Sequence, residues 1–229
     1  MARAKQAGLL IAGGGLAGCL AALAMARLRP DVPVTLVEES GSFGGNHIWS
    51  FFDADVADAD RWLVDPFVAA RWPGYYVAFP GHSRKLRHGY NSARSALLDA
   101  HVRETLGPDR YRLNSKIAAV RADSLVLADG ETIRGEGAID ARGAANLSML
   151  DLGWQKFVGR EYRFAAPHGL DRPVIMDATV DQSEGYRFVY NLPFSDDHML
   201  IEDTYYSDTP ALDRAELGRR IDAYAERCG

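Results

Sequence analysis

The stretch Gly8-Leu9-Leu10-Ile11-Ala12-Gly13-Gly14-Gly15-Leu16-Ala17-Gly18 sets the architecture of the first part of the chain. An apolar run of strand length passes directly into the pattern G-x-G-x-x-G, formed by Gly13, Gly15 and Gly18, and a helical segment follows. A second apolar run ends in Glu38, twenty residues after the last of these glycines. A strand, a glycine-rich turn, a helix, a second strand and an acid in this order form the dinucleotide-binding fingerprint. The sequence therefore predicts an α/β, Rossmann-like fold.

Each residue of the fingerprint has a separate physical role. Gly13 permits the tight strand-to-helix turn, Gly15 lets a pyrophosphate approach the backbone, and Gly18 lets the helix pack close to the strand. The free N–H groups and the dipole at the helix start would hold the phosphate charge. Glu38 would accept hydrogen bonds from a ribose 2′-hydroxyl and would repel a 2′-phosphate.

The same stretch permits one other interpretation. Residues 8–26 carry no charge and follow Arg3 and Lys5, as in a signal peptide or a membrane-spanning segment. Five glycines in that window disfavour a stable spanning helix. Neither membrane interpretation explains the acidic residue that ends the second strand.

Size and composition indicate an ordinary globular protein. The 229 residues make one large domain or two small ones, with 47% hydrophobic and 25% charged residues. The net charge of −5 does not favour nucleic acid as a partner. Cys19 and Cys228 are too few for a disulfide framework, which indicates a reducing, cytoplasmic setting. We expect no metal site.

Two helices are predicted after Glu38. The first covers 59–71 and the second runs from about 93 to 106, with Asn91 and Ser92 as residues of the N-cap type. Arg94 would lie in the first turn of the second helix, where it could reach a cofactor.

Several strands are predicted in the same part of the chain, at 75–79, 85–87 and within 111–139. Ala128-Asp129-Gly130 is a hairpin signal. The apolar run that starts at Gly137 ends in the charged turn Asp140-Ala141-Arg142-Gly143. By analogy with flavoproteins, this strand would return to the core sheet and place Asp140 beside a dinucleotide.

The pattern changes from Trp154 onward. Four strand-like runs predict an antiparallel sheet, at Gln155–Phe164, Pro173–Val180, Tyr186–Leu192 and Met199–Tyr206. The dense aromatic residues of these runs are either a sandwich core or a wall for a long apolar substrate. A closing helix follows, with Thr209 as N-cap and Pro210 at its first position. We therefore predict a dinucleotide-binding domain at 1–150 and a second domain at 151–229.

Several segments resemble the bacterial lycopene β-cyclases, which are flavoproteins of carotenoid synthesis. Besides the fingerprint, the resemblance rests on Gly44-Gly45-Asn46-His47-Ile48-Trp49-Ser50-Phe51, Ile139-Asp140-Ala141-Arg142-Gly143, Trp154-Gln155-Lys156-Phe157-Val158-Gly159, residues 173–180, Gly185-Tyr186-Arg187-Phe188-Val189-Tyr190 and Leu200-Ile201-Glu202-Asp203-Thr204-Tyr205-Tyr206. It implies a glutathione-reductase-type FAD-binding domain with an inserted antiparallel β-sheet substrate domain. It also implies reduced FAD, with NAD(P)H as the electron source.

The resemblance implies a non-redox isomerisation. The linear ends of lycopene, or of other acyclic carotenoids, would close into β-ionone rings, giving γ-carotene and then β-carotene. The residue matching Glu202 is the essential acid/base residue in the family. Asp203, a further candidate catalytic residue, is its neighbour on a strand, so the two side chains point to opposite faces and only one can face a cavity directly. Asp177 is a second candidate, which could orient a neighbour through hydrogen bonds.

Two other functions fit the same residues. One is a redox flavoenzyme of this fold, such as a hydroxylase or a prenyl reductase, and the other is a non-catalytic flavin- or lipid-binding module. The family is longer than this chain, so we expect the C-terminal part, with a second flavin motif, to be lacking here. The substrate predicts peripheral attachment to the inner face of the cell membrane. The sequence indicates no oligomeric state.

Overall fold

A computed structural model describes residues 8–143, 150–182 and 185–228 of the chain. The chain divides into two compact units. Unit 1 consists of Met1–Ser50, Val56–Ala69 and Ser92–Leu147, and unit 2 consists of Phe51–Asp55, Ala70–Asn91 and Ser148–Gly229. The predicted division at residue 150 differs from this, because it assigns residues 51–55 and 70–91 to the first part.

The strands, in chain order, are β1 (Leu9–Ala12), β2 (Val34–Val37), β3 (Ile48–Phe52), β4 (Val68–Trp72), β5 (Tyr75–Phe79), β6 (His82–Leu86), β7 (Tyr90–Arg94), β8 (Tyr111–Arg112), β9 (Ile117–Arg121), β10 (Ser124–Leu127), β11 (Thr132–Arg134), β12 (Gly137–Asp140), β13 (Trp154–Arg163), β14 (Val174–Asp177), β15 (Arg187–Pro193) and β16 (His198–Ser207). The α-helices are α1 (Leu16–Leu28), α2 (Arg61–Val64), α3 (Ser95–Leu106) and α4 (Arg214–Ala225). None of the helices formed by the described residues is both long and apolar enough to cross a membrane.

The central sheet of unit 1 is parallel and has the strand order β12-β1-β2-β8. Leu9 pairs with Val34 of β2 on one side and with Gly137 of β12 on the other. Leu10, Ile11 and the apolar residues of β2 are buried, as expected for a strand covered on both faces. The predicted Rossmann-like α/β fold is confirmed.

A smaller antiparallel sheet of unit 1 has the order β11-β10-β9. Its hairpin turn lies at residues 128–130, where the sequence predicts one. Leu125 and Leu127 are buried and pack into one cluster with Leu10 and Val37 of the parallel sheet. The strand character predicted for residues 111–139 is thus largely confirmed.

Two predictions around α2 and α3 are wrong. The helix predicted over 59–71 is reduced to α2 and short 3₁₀ turns, because Pro66 lacks the backbone N–H that a continuing helix needs. Asn91 and Ser92 do not cap a helix, because they lie buried within β7. This strand lies between β3 and β4, which are distant in the sequence, in the sheet order β3-β7-β4. Helix α3 begins at Ser95, and Arg94 is its N-cap residue.

The large sheet of unit 2 has the order β13-β16-β15-β14-β5-β6. Strands β13 and β16 pair antiparallel over ten residues, from Trp154 with Ser207 to Arg163 with His198. Only the contact between β14 and β5 is parallel among the described pairs of this sheet. The antiparallel character predicted after Trp154 is confirmed, whereas the addition of β5 and β6 was not predicted.

Helix α4 covers one face of this sheet. Its buried residues Leu217, Ile221 and Tyr224 belong to the apolar stripe predicted from the sequence. Ile221 and Tyr224 join a cluster that contains Met199 and Ile201 of β16. The predicted start at Thr209 and Pro210 is wrong. The Asp213 side chain accepts hydrogen bonds from the N–H groups of the first helical turn, so the N-cap residue is Asp213 and the helix begins at Arg214.

Candidate functional site

Unit 1 contains a cleft at the carboxyl ends of β1 and β2, which is where open α/β sheets bind their ligands. Its volume is about 680 Å³. It is lined by residues of the first turn, of the loop after β2 and of the segment after β12: Gly13, Gly14, Gly15, Leu16, Ala17, Glu38, Glu39, Ser40, Gly44, Gly45, His47, Trp49, Ile117, Ala141, Arg142 and Gly143.

The three glycines of the fingerprint have different surroundings. Gly13 has a φ of +99°, and a Cβ there would lie 2.7 Å from the carbonyl oxygen of Ala141. A Cβ on Gly18 would lie 2.0 Å from the carbonyl oxygen of Gly13, so the helix could not pack as it does. A Cβ on Gly15 would meet no atom within 4 Å. Gly15 therefore leaves free space directly at the start of α1, where backbone N–H groups are available.

Glu38 lies in the same cleft. One carboxylate oxygen accepts a hydrogen bond from the N–H of Gly14 at 2.6 Å, and the other accepts one from the N–H of Ser40 at 2.8 Å. These two bonds fix the carboxylate beside the glycine-rich turn. Each oxygen retains acceptor capacity for a further donor such as a sugar hydroxyl.

The other two predicted cofactor-binding residues are not among the cleft-lining residues. Arg94 is the N-cap residue of α3. Asp140 ends β12 and forms a bidentate pair with Arg142, at 2.9 and 2.7 Å, which holds the pKa of the Asp140 carboxyl below its usual value. Arg142 does line the cleft, and its place in the charged turn after β12 was the sequence signal for it.

In unit 2, Glu202 lies in the middle of β16. It pairs with Gly159 of β13 on one side and Tyr190 of β15 on the other. The side chain is half-buried, and burial raises the pKa of Glu202 because it disfavours the charged form. A hydrogen bond from the Thr204 hydroxyl, 3.1 Å long, lowers this pKa by a smaller amount.

Aromatic rings surround Glu202 on its face of the sheet. Ring centroids are 5.2 Å apart for Phe188 and Tyr190, 5.7 Å for Tyr186 and Phe188, and 6.3 Å for Tyr186 and Tyr206. Tyr206 and Phe157 are each 47% exposed, which is high for large rings in a sheet. We call this the Glu202 face. It offers a carboxyl whose pKa is raised by burial, beside π-electron density that attracts cations.

The other two predicted catalytic residues lie on the opposite face. Asp203 is fully buried, and its two oxygens accept hydrogen bonds from Nε and a terminal nitrogen of Arg187 at 2.8 and 2.7 Å. One oxygen of Asp177 accepts the Tyr224 hydroxyl of α4 at 2.6 Å. The structure thus separates Asp203 and Asp177 from Glu202, in agreement with the alternation of side chains along a strand.

The comparison with known families concerns nearly the whole chain. The model of the family described as "Lycopene cyclase protein" matches residues 8–229. The chain belongs to the lycopene cyclase family. This membership agrees with the predicted resemblance, and it makes the chain a homologue of enzymes of carotenoid biosynthesis.

Curated relatives support the same family membership. A lycopene beta-cyclase of Pantoea ananas is 41% identical over 221 residues, which make up 96% of this chain and 58% of the relative. A lycopene beta-cyclase of Paracoccus sp. is 43% identical, with 96% and 57% covered. The chain therefore spans less than two thirds of the length of these relatives.

Solved structures support the fold. The p-nitrophenol 4-monooxygenase of Pseudomonas putida superposes with a TM-score of 0.68 at 15% identity, and the match covers 97% of this chain and 63% of that one. At this identity the likeness shows the fold alone, which is that of a glutathione-reductase-type FAD domain. Within the described ranges, no group of three or more His, Cys, Asp or Glu side chains is placed to hold a metal ion.

Proposed function

We propose that the protein to which this chain belongs is a lycopene β-cyclase, which closes the linear ends of lycopene and other acyclic carotenoids into β-ionone rings. The products would be γ-carotene and then β-carotene, with no net transfer of electrons. The observation that carries the proposal is Glu202, a carboxyl whose pKa is raised by burial and which lies among exposed aromatic rings in a member of the lycopene cyclase family.

The reaction requires an acid, a site for a cation and the exclusion of water. Glu202 would deliver a proton to the terminal double bond, the next alkene would attack the resulting cation, and loss of a proton would complete the ring. A carboxyl with a raised pKa keeps its proton until the substrate arrives. The rings of Tyr190 and Phe188 would stabilise the cation through their π-faces. The apolar surroundings would keep out water, which would otherwise trap the cation as an alcohol.

The unit 1 cleft fits FAD. In this proposal the pyrophosphate lies at the start of α1 in the free space beside Gly15, and Glu38 accepts hydrogen bonds from a ribose. Bound reduced flavin would supply negative charge, with NAD(P)H as the source of its electrons. Arg142 lines this cleft, so we propose it, rather than Asp140 or Arg94, as the charged residue beside the cofactor.

We propose structural roles for Asp203 and Asp177. Asp203 neutralises the buried Arg187, and Asp177 accepts a hydrogen bond from Tyr224 of the covering helix. Each keeps the opposite face of the sheet packed. Neither is placed to exchange a proton with a molecule on the Glu202 face.

A carotenoid is soluble in membranes, so we propose peripheral attachment to the inner face of the cell membrane. The exposed strand β6 carries His82, Arg84 and Lys85, and no acidic residue lies between 82 and 88 in the sequence, although Asp171 pairs with Lys85 at 3.3 Å. Basic groups in such a strand attract anionic lipid headgroups. Sedimentation with vesicles of neutral lipid and with vesicles containing anionic lipid tests this. Equal binding to both, or to neither, would argue against the proposed attachment.

The activity is tested by pigment analysis in cells that accumulate lycopene. The chain is expressed as it stands and joined to the C-terminal part of a curated relative, each with Glu202 intact or changed by Glu202→Gln. We expect cyclised carotenoids that disappear with the substitution. Glu226→Gln, which removes an exposed carboxyl directly after α4, is the matched control and keeps the activity.

Product formation that oxidises the flavin stoichiometrically would indicate a hydroxylase or a prenyl reductase instead. Flavin or carotenoid binding without any product, even in the extended chain, would indicate a binding module. Either result would overturn the proposed cyclase activity.

A further inference from the structure

We propose that Gly159 forms the docking point for the reacting end of the substrate, and that Thr204 turns the Glu202 carboxyl so that its Oε2 faces this point. The proposal rests on the proposed function, because it assigns a position and an orientation to the acid of that reaction. It adds two residues, one that shapes the site and one that positions the acid.

Gly159 stands where a glycine is unfavourable. It lies in the interior of β13, a strand of ten residues, and glycine there costs about 0.5–1 kcal/mol relative to alanine. Its φ does not lie in the left-handed region, so the backbone would accept any residue. What glycine provides at this position is therefore the absence of a side chain. Glycine inside a strand often marks the close approach of a ligand.

The space above Gly159 adjoins the acid directly. A Cβ at this position would lie 3.5 Å from Oε2 of Glu202 and 3.3 Å from Cδ1 of Leu200. Phe157 lies two residues away on the same face of β13, and Tyr190 lies across β16. Gly159 is exposed, so we infer a shallow notch over its backbone, bordered by Leu200 and by the carboxyl of Glu202. A branched alkene terminus fits such a notch by shape and by its apolar character.

Thr204 fixes which carboxyl oxygen faces the notch. Its side chain is fully buried, and its hydroxyl donates to Oε1 of Glu202 at 3.1 Å. Phe157 and Phe188 pair with Thr204 from the two neighbouring strands, so apolar rings surround the hydroxyl on both sides. An oxygen that accepts a hydrogen bond serves as the carbonyl oxygen of a protonated carboxyl. The proton is therefore placed on Oε2, beside the notch.

Other titratable groups on this face affect the readout and must be considered with Glu202. They are Glu161 of β13, Tyr186 directly before β15, Tyr190 within β15, and His198 and Tyr206 of β16. Glu161 and His198 form a pair with a distance of 2.7 Å between Oε2 and Nε2. Tyr190 has a raised pKa because of burial and the nearby Glu202, and it stays neutral at working pH.

The first experiment tests the notch. Gly159→Ala is compared with Gly153→Ala, where a Cβ would meet no atom within 4 Å. We expect Gly159→Ala to reduce cyclised pigment by on the order of 10- to 100-fold without lowering the unfolding temperature, because small displacements of a reacting group have effects of this size. Gly153→Ala should leave both unchanged. Full activity of Gly159→Ala would overturn the docking point.

The second experiment tests the orientation and does not depend on turnover. The Glu202 carboxyl is titrated by ¹³C NMR in the unaltered chain, in Thr204→Val and in Thr204→Ser. We expect Thr204→Val to raise the pKa of Glu202, because the hydroxyl bond stabilises the charged form, and Thr204→Ser to restore it. An unchanged titration in Thr204→Val would overturn the role of Thr204. Absence of cyclised pigment in the unaltered extended chain would instead refute the proposed function, while the titration would still test the orientation.

Discussion

The pair formed by Asp203 and Arg187 tests whether Asp203 of β16 stabilises the fold or takes part in catalysis. The exposed fractions of the two side chains are 1% and 10%. Asp203→Asn keeps the shape of the side chain and removes its charge, so the guanidinium of Arg187 stays buried without compensation. Breaking a buried ion pair in this way costs about 3–5 kcal/mol.

This cost is large relative to the stability of a folded domain, which is about 5–15 kcal/mol. For a chain of this length each kcal/mol shifts the unfolding temperature by about 2–4 °C, so we expect a decrease of roughly 6–20 °C. Differential scanning calorimetry measures the decrease, and urea unfolding gives the free energy. Asp208→Asn, at an exposed position on the segment after β16, is the matched control and should change stability by less than about 0.5 kcal/mol.

A double variant separates the charge effect from loss of packing. Arg187→Met combined with Asp203→Leu removes both charges, so its cost should be smaller than the sum of the two single changes by about 0.5–3 kcal/mol. Cyclase activity measured below the unfolding temperature should persist in Asp203→Asn. Loss of activity with an unchanged unfolding temperature would refute the structural role and return Asp203 to the list of catalytic residues.

Three further predictions concern the glycine-rich turn and the two faces of the unit 2 sheet. Gly18→Ala should lower the free energy of unfolding by about 1–3 kcal/mol, because the added Cβ would overlap the backbone of the turn. Gly15→Ala should leave this free energy unchanged and weaken flavin binding, which fluorescence quenching measures. The stability of Glu202→Gln relative to the unaltered chain should increase as the pH rises above about 4.3. The folded state of the unaltered chain raises the pKa of Glu202, so above this pH the burial of the charged carboxylate opposes folding. Urea unfolding at several pH values would show no such trend if the carboxyl were solvated. Tyr224→Phe should lower the free energy of unfolding by about 1–3 kcal/mol, because the buried amide nitrogen of Asn191 loses the hydroxyl to which it donates and Oδ2 of Asp177 loses the hydroxyl that donates to it. An unchanged unfolding temperature would contradict this.

The sequence was most informative where local geometry alone determines the structure. Gly13 and Gly18 are required by contacts within one strand–turn–helix unit, so their spacing was sufficient to predict the parallel sheet and α1. It was least informative where a distant strand determines the outcome. Asn91 and Ser92 have the chemistry of N-cap residues, yet pairing with remote strands draws them into β7. Strand β5 joins β14 across almost a hundred residues, and no local pattern indicates that pairing.

The residues of the candidate site also differ in how far the local sequence could predict them. Alternation along β16 was enough to separate Glu202 from Asp203, but the choice between the two faces came from the family resemblance. Arg142 was overlooked as a residue of the unit 1 cleft, because its position there depends on the turn geometry after β12. Gly159 could not be recognised either, since it lies next to Glu202 only through the pairing of two strands that are far apart in the sequence.

The different surroundings of Glu202 and Asp203 explain why two neighbouring carboxyls on one strand suit different tasks. Asp203 receives two hydrogen bonds from the guanidinium of Arg187 within the packed core. Glu202 receives one bond from a neutral hydroxyl, and burial, which has the larger effect, raises the pKa of Glu202. We therefore propose Glu202, rather than Asp203, as the carboxyl that gives its proton to an apolar substrate.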